Sequence, residues 1–575
     1  MKKIISLLLA VAMLVGVVFV LAGCKAKDEG AVINVYLGNE IFDFDPSDYY
    51  ADSNQDQLMS LLFEPLFRVN AKGKLEMAAA DDYEIDEEAR KITVTLRETY
   101  WSDGVLLKAE DYAYAWCNRI LDANNPNPAA ALFYDIENAA AVKSGIGSVS
   151  DIGVKATETD ELQITYRAGA DVDRLLRNLA SVAASPVRQS VFENAPGYWS
   201  KNPNTMVFNG PFKIRVLNAM TSEFSLERNT GYHQAPDERD LTDEVRPHIL
   251  AGFYTATGEK MEISYADITE KVRFFLLDAP LSEREENKAN ATYKDDTSVY
   301  TYVFNTENPL FRNAKVRRAL SMVIDRETIA AAVSFGKAAN GFIPDAFGGS
   351  SAELISTTAK ITEAQALIAQ AKLEDDVFNA ASKSFTLTVA NTEQAKAIAE
   401  LVKASWKTLG FTVTVKYETK IETTIGGIDT TDSELQVLLK EASYGKRNFD
   451  VIGIDWQLYT DDAFVGLASM SNSLSGCGVD FKNNNTQRTN VTGWSDNDYD
   501  SYITSAFKAT GSDRATYLAE AEALLCEEAP IVPILFNQSF AFISGDLSKV
   551  ECDVFGNFVF TDAKLKNYED YLEEE

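Results

Sequence analysis

The chain has 575 residues, of which 46% are apolar, and its formal net charge at pH 7 is −32. A chain of this length exceeds one hydrophobic core, so we expect several domains. The large excess of acidic residues excludes nucleic acid as a partner, because phosphate backbones repel such a surface.

The first 24 residues have the pattern of a secretory signal. Lys2 and Lys3 precede an apolar run of 19 residues from Ile4 to Ala22, which ends in small residues. Leu21-Ala22-Gly23-Cys24 resembles the lipobox of bacterial lipoproteins, which are cut before the cysteine and then carry palmitate-type acyl chains on it. This resemblance implies a signal peptide over residues 1–23, lipidation of Cys24 and a short tether over residues 24–31. The alternative is an uncleaved transmembrane helix, since this run can just span a bilayer.

Cysteine and histidine are too scarce to indicate a metal site. Cys117, Cys477, Cys526 and Cys552 are widely spaced, and their pairing is open from sequence. A chain this large needs no disulfide framework, so we expect buried or free thiols. With two histidines and no Cys-x-x-Cys or His-Glu-x-x-His motif, we expect no metal site and no cofactor.

The beginning of the mature chain shows strand patterns and one helical pattern. Residues 33–37 and residues 92–96 alternate between apolar and other side chains, as strands do. Asp103-Gly104 predicts a turn. Tyr112, Trp116 and Ile120 then recur at helical spacing and predict a helix.

The clearest supersecondary unit lies in the second half of the chain. Residues 385–389 predict a strand, and Asn391 or Thr392 is suited to cap a helix that Gly410 ends. Residues 411–417 predict the next strand, so the pattern indicates a βαβ unit with parallel pairing. A short helix around residues 435–439 and a strand over residues 449–456 follow, before a loop over residues 471–497. We therefore expect a parallel α/β lobe between about residues 302 and 525.

Short motifs follow one another in a fixed order through nearly the whole mature chain. They are Phe44-Asp45-Pro46, Leu62-Phe63-Glu64-Pro65-Leu66, the segment from Leu96-Arg97 to Ala109-Glu110-Asp111, Asn209-Gly210-Pro211-Phe212, Phe304-Asn305-Thr306, Val316-Arg317-Arg318-Ala319-Leu320, Ile324-Asp325-Arg326 and Ala529-Pro530-Ile531-Val532-Pro533. In this order they resemble the family 5 extracellular solute-binding proteins, the peptide- and nickel-type receptors of ABC importers. Most of them also have structural roles, since Val316 and Leu320 share one helical face and Asp325 is suited to cap the next helix.

The resemblance implies an α/β fold with two hinged lobes, like periplasmic binding proteins of type II, cluster C. An extra domain is inserted in the first lobe. The implied boundaries are residues 32–57 for the start of the first lobe, 58–178 for the inserted domain, 179–301 for the rest of the first lobe, 302–525 for the second lobe and 526–575 for a return to the first.

The resemblance also places the ligand in the cleft between the lobes. Open α/β sheets bind ligands beyond the carboxyl ends of their strands, and the strand over residues 449–454 ends at such a place. We therefore expect Trp456, Tyr459, Asp461 and Asp462 to contact the ligand, together with Glu40 in a motif similar to the Gly-Ser-Glu of the family.

Two ionic anchors of well-understood peptide receptors are absent in register. Tyr459 stands where those receptors have an aspartate for the peptide amino group, and Gly453 stands where some have an arginine for the carboxylate. Buried charges depend on such partners, so these departures leave the ligand class open.

The implied function is that of a substrate-binding lipoprotein that captures a solute, most simply an oligopeptide, for an ABC importer. The expected partners are the ligand, the permease and ATPase subunits, and the outer face of the bacterial cytoplasmic membrane through the lipid anchor, with the protein as a monomer. The alternatives are an oligosaccharide or other polar solute, chelated nickel, or a signalling lipoprotein without catalysis. No Gly-x-Ser-x-Gly, Walker or Gly-x-Gly-x-x-Gly motif is present, so we expect no enzyme.

Overall fold

A computed structural model describes most of the mature chain. The described residues are 31–38, 40–48, 53–202, 204–218, 223–234, 245–250, 261, 266, 268, 275–276, 278–349, 352–478 and 489–566. The predicted signal peptide and the lipidation site Cys24 lie outside the described residues.

The secondary structure alternates between strands and helices along the chain. The strands are β1 (Ala31–Tyr36), β2 (Phe67–Val69), β3 (Leu75–Met77), β4 (Ala80–Asp86), β5 (Lys91–Leu96), β6 (Val154–Ala156), β7 (Glu161–Thr165), β8 (Phe212–Asn218), β9 (Glu223–Arg228), β10 (Val245–Leu250), β11 (Phe275–Leu276), β12 (Ala291–Phe304), β13 (Gly336–Ala338), β14 (Ser384–Val389), β15 (Thr412–Tyr417), β16 (Lys420–Ile425), β17 (Ile428–Ser433), β18 (Val451–Gln457), β19 (Ile531–Ile543), β20 (Leu547–Ser548), β21 (Glu551–Cys552), β22 (Phe558–Val559) and β23 (Lys564–Leu565). The helices are α1 (Ser53–Leu62), α2 (Ala109–Tyr114), α3 (Ala139–Lys143), α4 (Val172–Asn178), α5 (Gln189–Asn194), α6 (Leu281–Asn287), α7 (Ala314–Met322), α8 (Arg326–Val333), α9 (Ile361–Glu374), α10 (Asp376–Ala380), α11 (Glu393–Lys407), α12 (Glu434–Ser443), α13 (Ala463–Ala468), α14 (Asn497–Lys508) and α15 (Gly511–Glu528).

One large sheet runs through both lobes. Its order is β15-β14-β18-β12-β19-β11-β1-β10-β9-β8, with β13 paired to β19. In the first lobe β1 lies parallel to β10 and β11, and in the second lobe β14 lies parallel to β15 and β18. The two-lobed α/β fold expected from the sequence is confirmed, and both lobes hold parallel strands at their centres.

Two long antiparallel strands, β12 and β19, join the lobes. The beginning of β12 pairs with the end of β19 beside β11 of the first lobe. The end of β12 pairs with β18 of the second lobe and with the beginning of β19. The register breaks between Asp295 and Val299, so the crossing between the lobes coincides with a bulge.

The predicted βαβ unit is confirmed in detail. β14 and β15 are parallel, and α11 connects them. The Thr392 side chain accepts a hydrogen bond from the amide of Ala395, so Thr392 rather than Asn391 caps the helix. Gly410 has a φ of 88°, a left-handed conformation that favours glycine after a helix.

The other predicted elements are present with small differences. β1 and β5 match the alternating segments, and α12 and β18 match the helix and strand predicted around residues 435–456. The helix predicted from Tyr112 to Ile120 is α2 followed directly by a π-helical turn, Ala115–Ile120. Asp325 caps α8 by accepting from the amide of Thr328, as expected.

A separate four-stranded antiparallel sheet, of order β4-β5-β7-β6, lies in the segment predicted to be inserted. Ile92, Val94, Leu162 and Ile164 from its central strands are fully buried. The domain boundaries drawn from the sequence stay a prediction.

Each lobe has its own apolar core. In the second lobe, the indole of Trp406 is fully buried among Phe304, Phe385 and Tyr302, and its N–H donates to the carbonyl of Leu320 at 2.8 Å. A larger apolar cluster fills the first lobe and reaches across to α13 and α14. Within the described ranges, no helix is long and apolar enough to cross a membrane.

The four cysteines within the described residues are free thiols, in agreement with the sequence. Cys117, Cys477 and Cys526 are buried and Cys552 is partly buried. Burial raises the pKa of Cys117 to about 12, so this thiol stays protonated at neutral pH.

Candidate functional site

A cavity of about 500 Å³ lies between the two lobes. Residues 390–395, 418–420, 453–457 and Tyr459 line it from the second lobe, toward the carboxyl ends of the parallel strands β14, β15 and β18. Leu37, residues 40–42 and Asp278 line it from the first lobe, after the ends of β1 and β11. Both lobes thus present the sheet edge at which α/β folds bind ligands.

The floor of the cavity is the crossing between the lobes. Asn537 in β19 donates from Nδ2 to Asp455 Oδ1 at 2.6 Å and to Ser298 Oγ at 2.8 Å. Asp296 accepts from the Ser298 amide at 2.8 Å and from Ser539 Oγ at 3.2 Å. These contacts fix polar groups of β12, β18 and β19 beneath a ligand.

On one wall of the cavity, α11 contacts the segment between β11 and β12. Arg284 donates to Gln394 Oε1 at 2.8 Å and pairs with Asp278 Oδ1 at 2.6 Å. Glu393 Oε2 accepts from the amide of Leu281 at 3.1 Å. This wall therefore has its own network of hydrogen bonds.

The cavity lining is acidic and contains several aromatic rings. Among its described residues the carboxylates are Glu40, Asp278, Asp296, Glu393, Glu418 and Asp455, whereas the cations are Arg284 and Lys420. The aromatic side chains include Phe42, Phe335, Trp456, Tyr459 and Phe540. Such a lining favours a ligand with an apolar body and a cationic group.

Three of the five predicted ligand contacts line the cavity. Trp456 and Tyr459 are buried, and each is 6% exposed. Glu40 lies opposite them on the first lobe, where its Oε1 accepts from Lys420 Nζ at 2.7 Å. Their contact with a ligand stays a prediction.

The other two, Asp461 and Asp462, lie outside the cavity lining. Tyr459 has a φ of 65°, an uncommon left-handed conformation for a bulky residue, and the chain turns there. Asp461 pairs with Arg177. Asp462 caps α13, and its Oδ1 and Oδ2 accept hydrogen bonds from Arg514 at 2.7 Å and 2.9 Å. Both carboxylates are therefore engaged by arginines rather than presented to the cavity.

Gly453 cannot be replaced by an arginine, or by any larger residue, without rearrangement. A Cβ atom at this position would lie 2.6 Å from Cε1 of Tyr302 and 2.9 Å from Cγ1 of Val389. Tyr302 is fully buried, so it cannot move aside easily. The packing of the second lobe thus excludes a larger side chain at position 453.

Ion pairs join the lobes around the cavity. Besides Lys420 and Glu40, Lys440 Nζ lies 2.8 Å from Asp48 Oδ2, and Lys201 pairs with Asp432. On the other side, Arg177 pairs with Asp461, and Arg174 Nε lies 3.5 Å from Asp462 Oδ2. The lobes are therefore in direct contact on both sides of the cavity.

Two groups of lining residues were not singled out from the sequence. They are residues 390–395 after β14 and residues 418–420 after β15. The rule that points to the residues after β18 also points to these, because β14 is parallel to both strands. The βαβ pattern is the sequence signal that predicts them.

The described residues contain no group of three histidine, cysteine, aspartate or glutamate side chains placed to hold a metal ion. The arrangement instead offers a polar floor, aromatic faces and carboxylates around a cleft. Its chemistry is suited to holding a solute by noncovalent contacts.

Comparisons with known proteins agree with this geometry. The sequence profile described as "Bacterial extracellular solute-binding proteins, family 5 Middle" matches residues 74–476. The dipeptide-binding protein DppE of Bacillus subtilis is 25% identical over 563 residues, which cover 93% of this chain and 94% of that protein. The probable deoxycholate-binding periplasmic protein YgiS of Escherichia coli is 26% identical over 492 residues, which cover 84% of this chain and 83% of that protein.

The lobes contact each other directly through the ion pairs around the cavity, and we call this arrangement closed. The structure of the Escherichia coli murein tripeptide binding protein MppA matches with a TM-score of 0.73 at 22% identity, covering 93% of this chain and 99% of that chain. MppA in its unliganded open form matches with a TM-score of only 0.53, at 21% identity and with 93% and 98% coverage. Both matches show that this chain shares the fold of MppA.

Proposed function

Because the chain belongs to the bacterial extracellular solute-binding proteins of family 5, we propose that it captures an oligopeptide and delivers it to an ABC importer. The observation that carries this proposal is the cavity between the lobes at the carboxyl ends of parallel strands. Closure of the lobes around a ligand presents a complex that differs in shape from the free receptor. The permease and ATPase subunits are the partners of this complex.

A peptide fits the cavity better than the other solutes we considered. Its main chain can bond to polar floor groups such as Asn537 and Asp455, and its side chains can lie against aromatic faces such as Trp456. The name of DppE supports a peptide ligand, whereas the name of YgiS shows that a relative is assigned a steroid acid. An acidic lining favours a free-amino peptide over an anionic steroid or a neutral sugar.

The ligand contacts that we propose are Glu40, Asp455, Trp456 and Tyr459. Asp455 lies near the carboxyl end of β18 and lines the cavity beside Trp456, so it is the acid of that strand best placed for the amino group of a peptide. No covalent step is needed for this role, and we propose that the protein is not an enzyme.

The test is a thermodynamic cycle on Asp455, with binding of a free tripeptide and its N-acetylated form measured by titration calorimetry. Removing a charge partner from a closed cleft costs about 2–5 kcal/mol, so Asp455→Asn should weaken binding of the free tripeptide at least about tenfold. The affinity for the N-acetylated form should fall much less, because this peptide lacks the positive charge of the amino group.

The control for this cycle is Asp450→Asn. Asp450 precedes the same strand, accepts from Asn308 and from the amide of Thr386, and does not line the cavity. This variant should bind both peptides as the wild type does. A wild-type protein that binds no peptide, or whose co-purified ligand proves by mass spectrometry to be a sugar or a steroid acid, would contradict the proposal. For a neutral sugar, Trp456→Ala should cost more than Asp455→Asn.

We further propose that the protein is a monomeric lipoprotein anchored through Cys24 on the outer face of the cytoplasmic membrane. The lipobox-like Leu21-Ala22-Gly23-Cys24 supports this proposal. Metabolic labelling with a fatty-acid analogue should label the wild type and not Cys24→Ala. Label retained by the variant would show that the cysteine is not the site of attachment.

A further inference from the structure

We propose that the hairpin formed by β16 and β17 is a wall across the cleft that limits the length of the peptide ligand. This inference rests on the proposed peptide-binding function. The hairpin leaves the second lobe after β15, and Gly426-Gly427 form its two-residue turn with φ values of 60° and 85°. Its base lines the cavity through Thr419, Lys420 and Ser433.

The hairpin reaches the first lobe at its base and at its tip. At the base, Lys420 pairs with Glu40 and lies 5.6 Å from the ring centre of Phe42. At the tip, a Cβ atom on Gly197 would lie 3.5 Å from Ile425 Cγ2, and one on Gly426 would lie 3.1 Å from the ring of Tyr198. The tip therefore packs directly on the backbone of the first lobe.

A second ion pair near the base of the hairpin strengthens its contact with the first lobe. Asp432 of β17 pairs with Lys201, which also lies 3.5 Å from Asp43 of the first lobe. A two-stranded hairpin alone is at best marginally stable in water. Its contacts with the first lobe therefore stabilise the hairpin and the closed arrangement together.

The position of this wall has a consequence for the ligand. An extended peptide needs about 3.3–3.6 Å for each residue, and the cavity lies in the lower half of the usual 300–1,000 Å³ range for ligand sites. The hairpin joins the first lobe on this side of the cavity through the pairs of Lys420 with Glu40 and of Asp432 with Lys201, so a longer chain can leave there only by displacing the hairpin. The receptor should therefore prefer short peptides over long ones.

The first test shortens the hairpin. Lys420 and Ser433 are cross-strand partners, so residues 421–432 can be replaced by Asn-Gly without opening the base. The measured quantity is the ratio of the dissociation constants for an alanine hexapeptide and an alanine tripeptide, each with a free amino group. We expect the wild-type ratio to be well above one and the ratio of the shortened variant to fall at least about tenfold.

The second test uses point variants in case the shortened chain does not fold. Lys420→Met removes the ion pair with Glu40, and the ratio should fall about two- to fivefold, since an exposed ion pair contributes little. Lys416→Met is the control, because Lys416 is equally exposed but pairs with Glu434 inside the second lobe. Its ratio should equal that of the wild type.

The outcomes separate the two proposals. If the wild type binds neither peptide, the proposed peptide-binding function is wrong, and the length limit falls with it. If the wild type binds peptides but the shortened variant or Lys420→Met keeps the wild-type ratio, the hairpin does not limit length, although the receptor function stands. A ratio that falls equally in Lys416→Met would also overturn the inference.

Discussion

At the scale of single residues, Gly453 shows how a core contact decides the chemistry of the cavity. Its backbone lines the cavity, while the ring of Tyr302 fills the space where its side chain would be. Tyr302 in turn packs on Trp406 at the centre of the second lobe. The packing behind the cavity wall thus determines which residue can occupy this position.

We expect Gly453→Ala to destabilise the protein. The added methyl group would overlap Tyr302 and Val389, and overpacking of this kind costs about 1–3 kcal/mol. Urea denaturation followed by circular dichroism measures the change. Gly427→Ala is a useful comparison, since no atom lies within 4 Å of a Cβ there, although its φ of 85° adds some strain of its own. Equal stability of Gly453→Ala and wild type would show that Tyr302 moves aside freely.

Asp43 makes the stability of the protein depend on pH. Its Oδ1 accepts from Ser200 Oγ at 2.6 Å and from the amide of Asp45 at 3.0 Å. Burial raises the pKa of Asp43 to about 6, even though Lys201 lies nearby and acts in the opposite direction. The folded state therefore binds a proton more readily than the unfolded chain, in which an aspartate has a pKa of about 3.9.

The sign of the effect follows from linkage. Between about pH 4 and pH 6 the folded state holds more protons, so the free energy of unfolding falls as pH rises through this window. From about pH 4 to pH 7, the wild type should lose on the order of 2 kcal/mol more than Asp43→Asn. Chemical denaturation at a series of pH values measures, for each protein, how the free energy of unfolding changes with pH. Parallel slopes for the two proteins would mean that Asp43 keeps an ordinary pKa.

At the scale of elements, the unit β14-α11-β15 was predictable because its local signals agree. Alternation in the strands, a capping threonine and a terminal glycine all point to the same boundaries. The hairpin of β16 and β17 also had a signal, since Gly426-Gly427 separates two alternating runs. The contact of this hairpin with the first lobe could not be predicted from the sequence, because it joins residues more than 200 positions apart in the chain.

The position of Asp461 and Asp462 could not be predicted for a different reason. It depends on the left-handed backbone of Tyr459, and no sequence rule places a tyrosine in that conformation. Sequence spacing alone continues the chain past β18 toward the cavity. The turn instead directs these carboxylates to Arg177 and Arg514.

The cap of α11 allows a prediction about this element. Thr392 accepts from the amide of Ala395 at 3.1 Å, so Thr392→Ala should lower the free energy of unfolding by about 1 kcal/mol. Asn391 precedes Thr392 and also lines the cavity, but it does not serve as the cap. Asn391→Ala should therefore lower the free energy of unfolding by less. Urea denaturation of the two variants distinguishes these roles. A larger loss for Asn391→Ala would contradict the capping assignment.

At the scale of the whole molecule, two of the ion pairs that join the lobes are individually weak. The pair of Lys420 and Glu40 is partly exposed, with 45% and 19% of the side chains accessible, and the pair of Lys440 and Asp48 is similar at 45% and 16%. Exposed pairs contribute about 0–1 kcal/mol each and are screened by salt. These two pairs therefore add little to the stability of the closed arrangement and are the part of it that salt should weaken.

A ligand that contacts both lobes changes this balance, because it binds the closed arrangement more tightly than the open one. Small-angle scattering of the ligand-free protein should therefore give a larger radius of gyration at about 0.5 M salt than at about 0.05 M salt, where the cross-cleft pairs are weakly screened. With a saturating tripeptide the radius should be small at both salt concentrations, and the curve should match the closed arrangement described above. A ligand-free radius that equals the bound one at high salt would show that apolar contacts, such as those between α13 and the first-lobe core, hold the lobes together instead of the ion pairs.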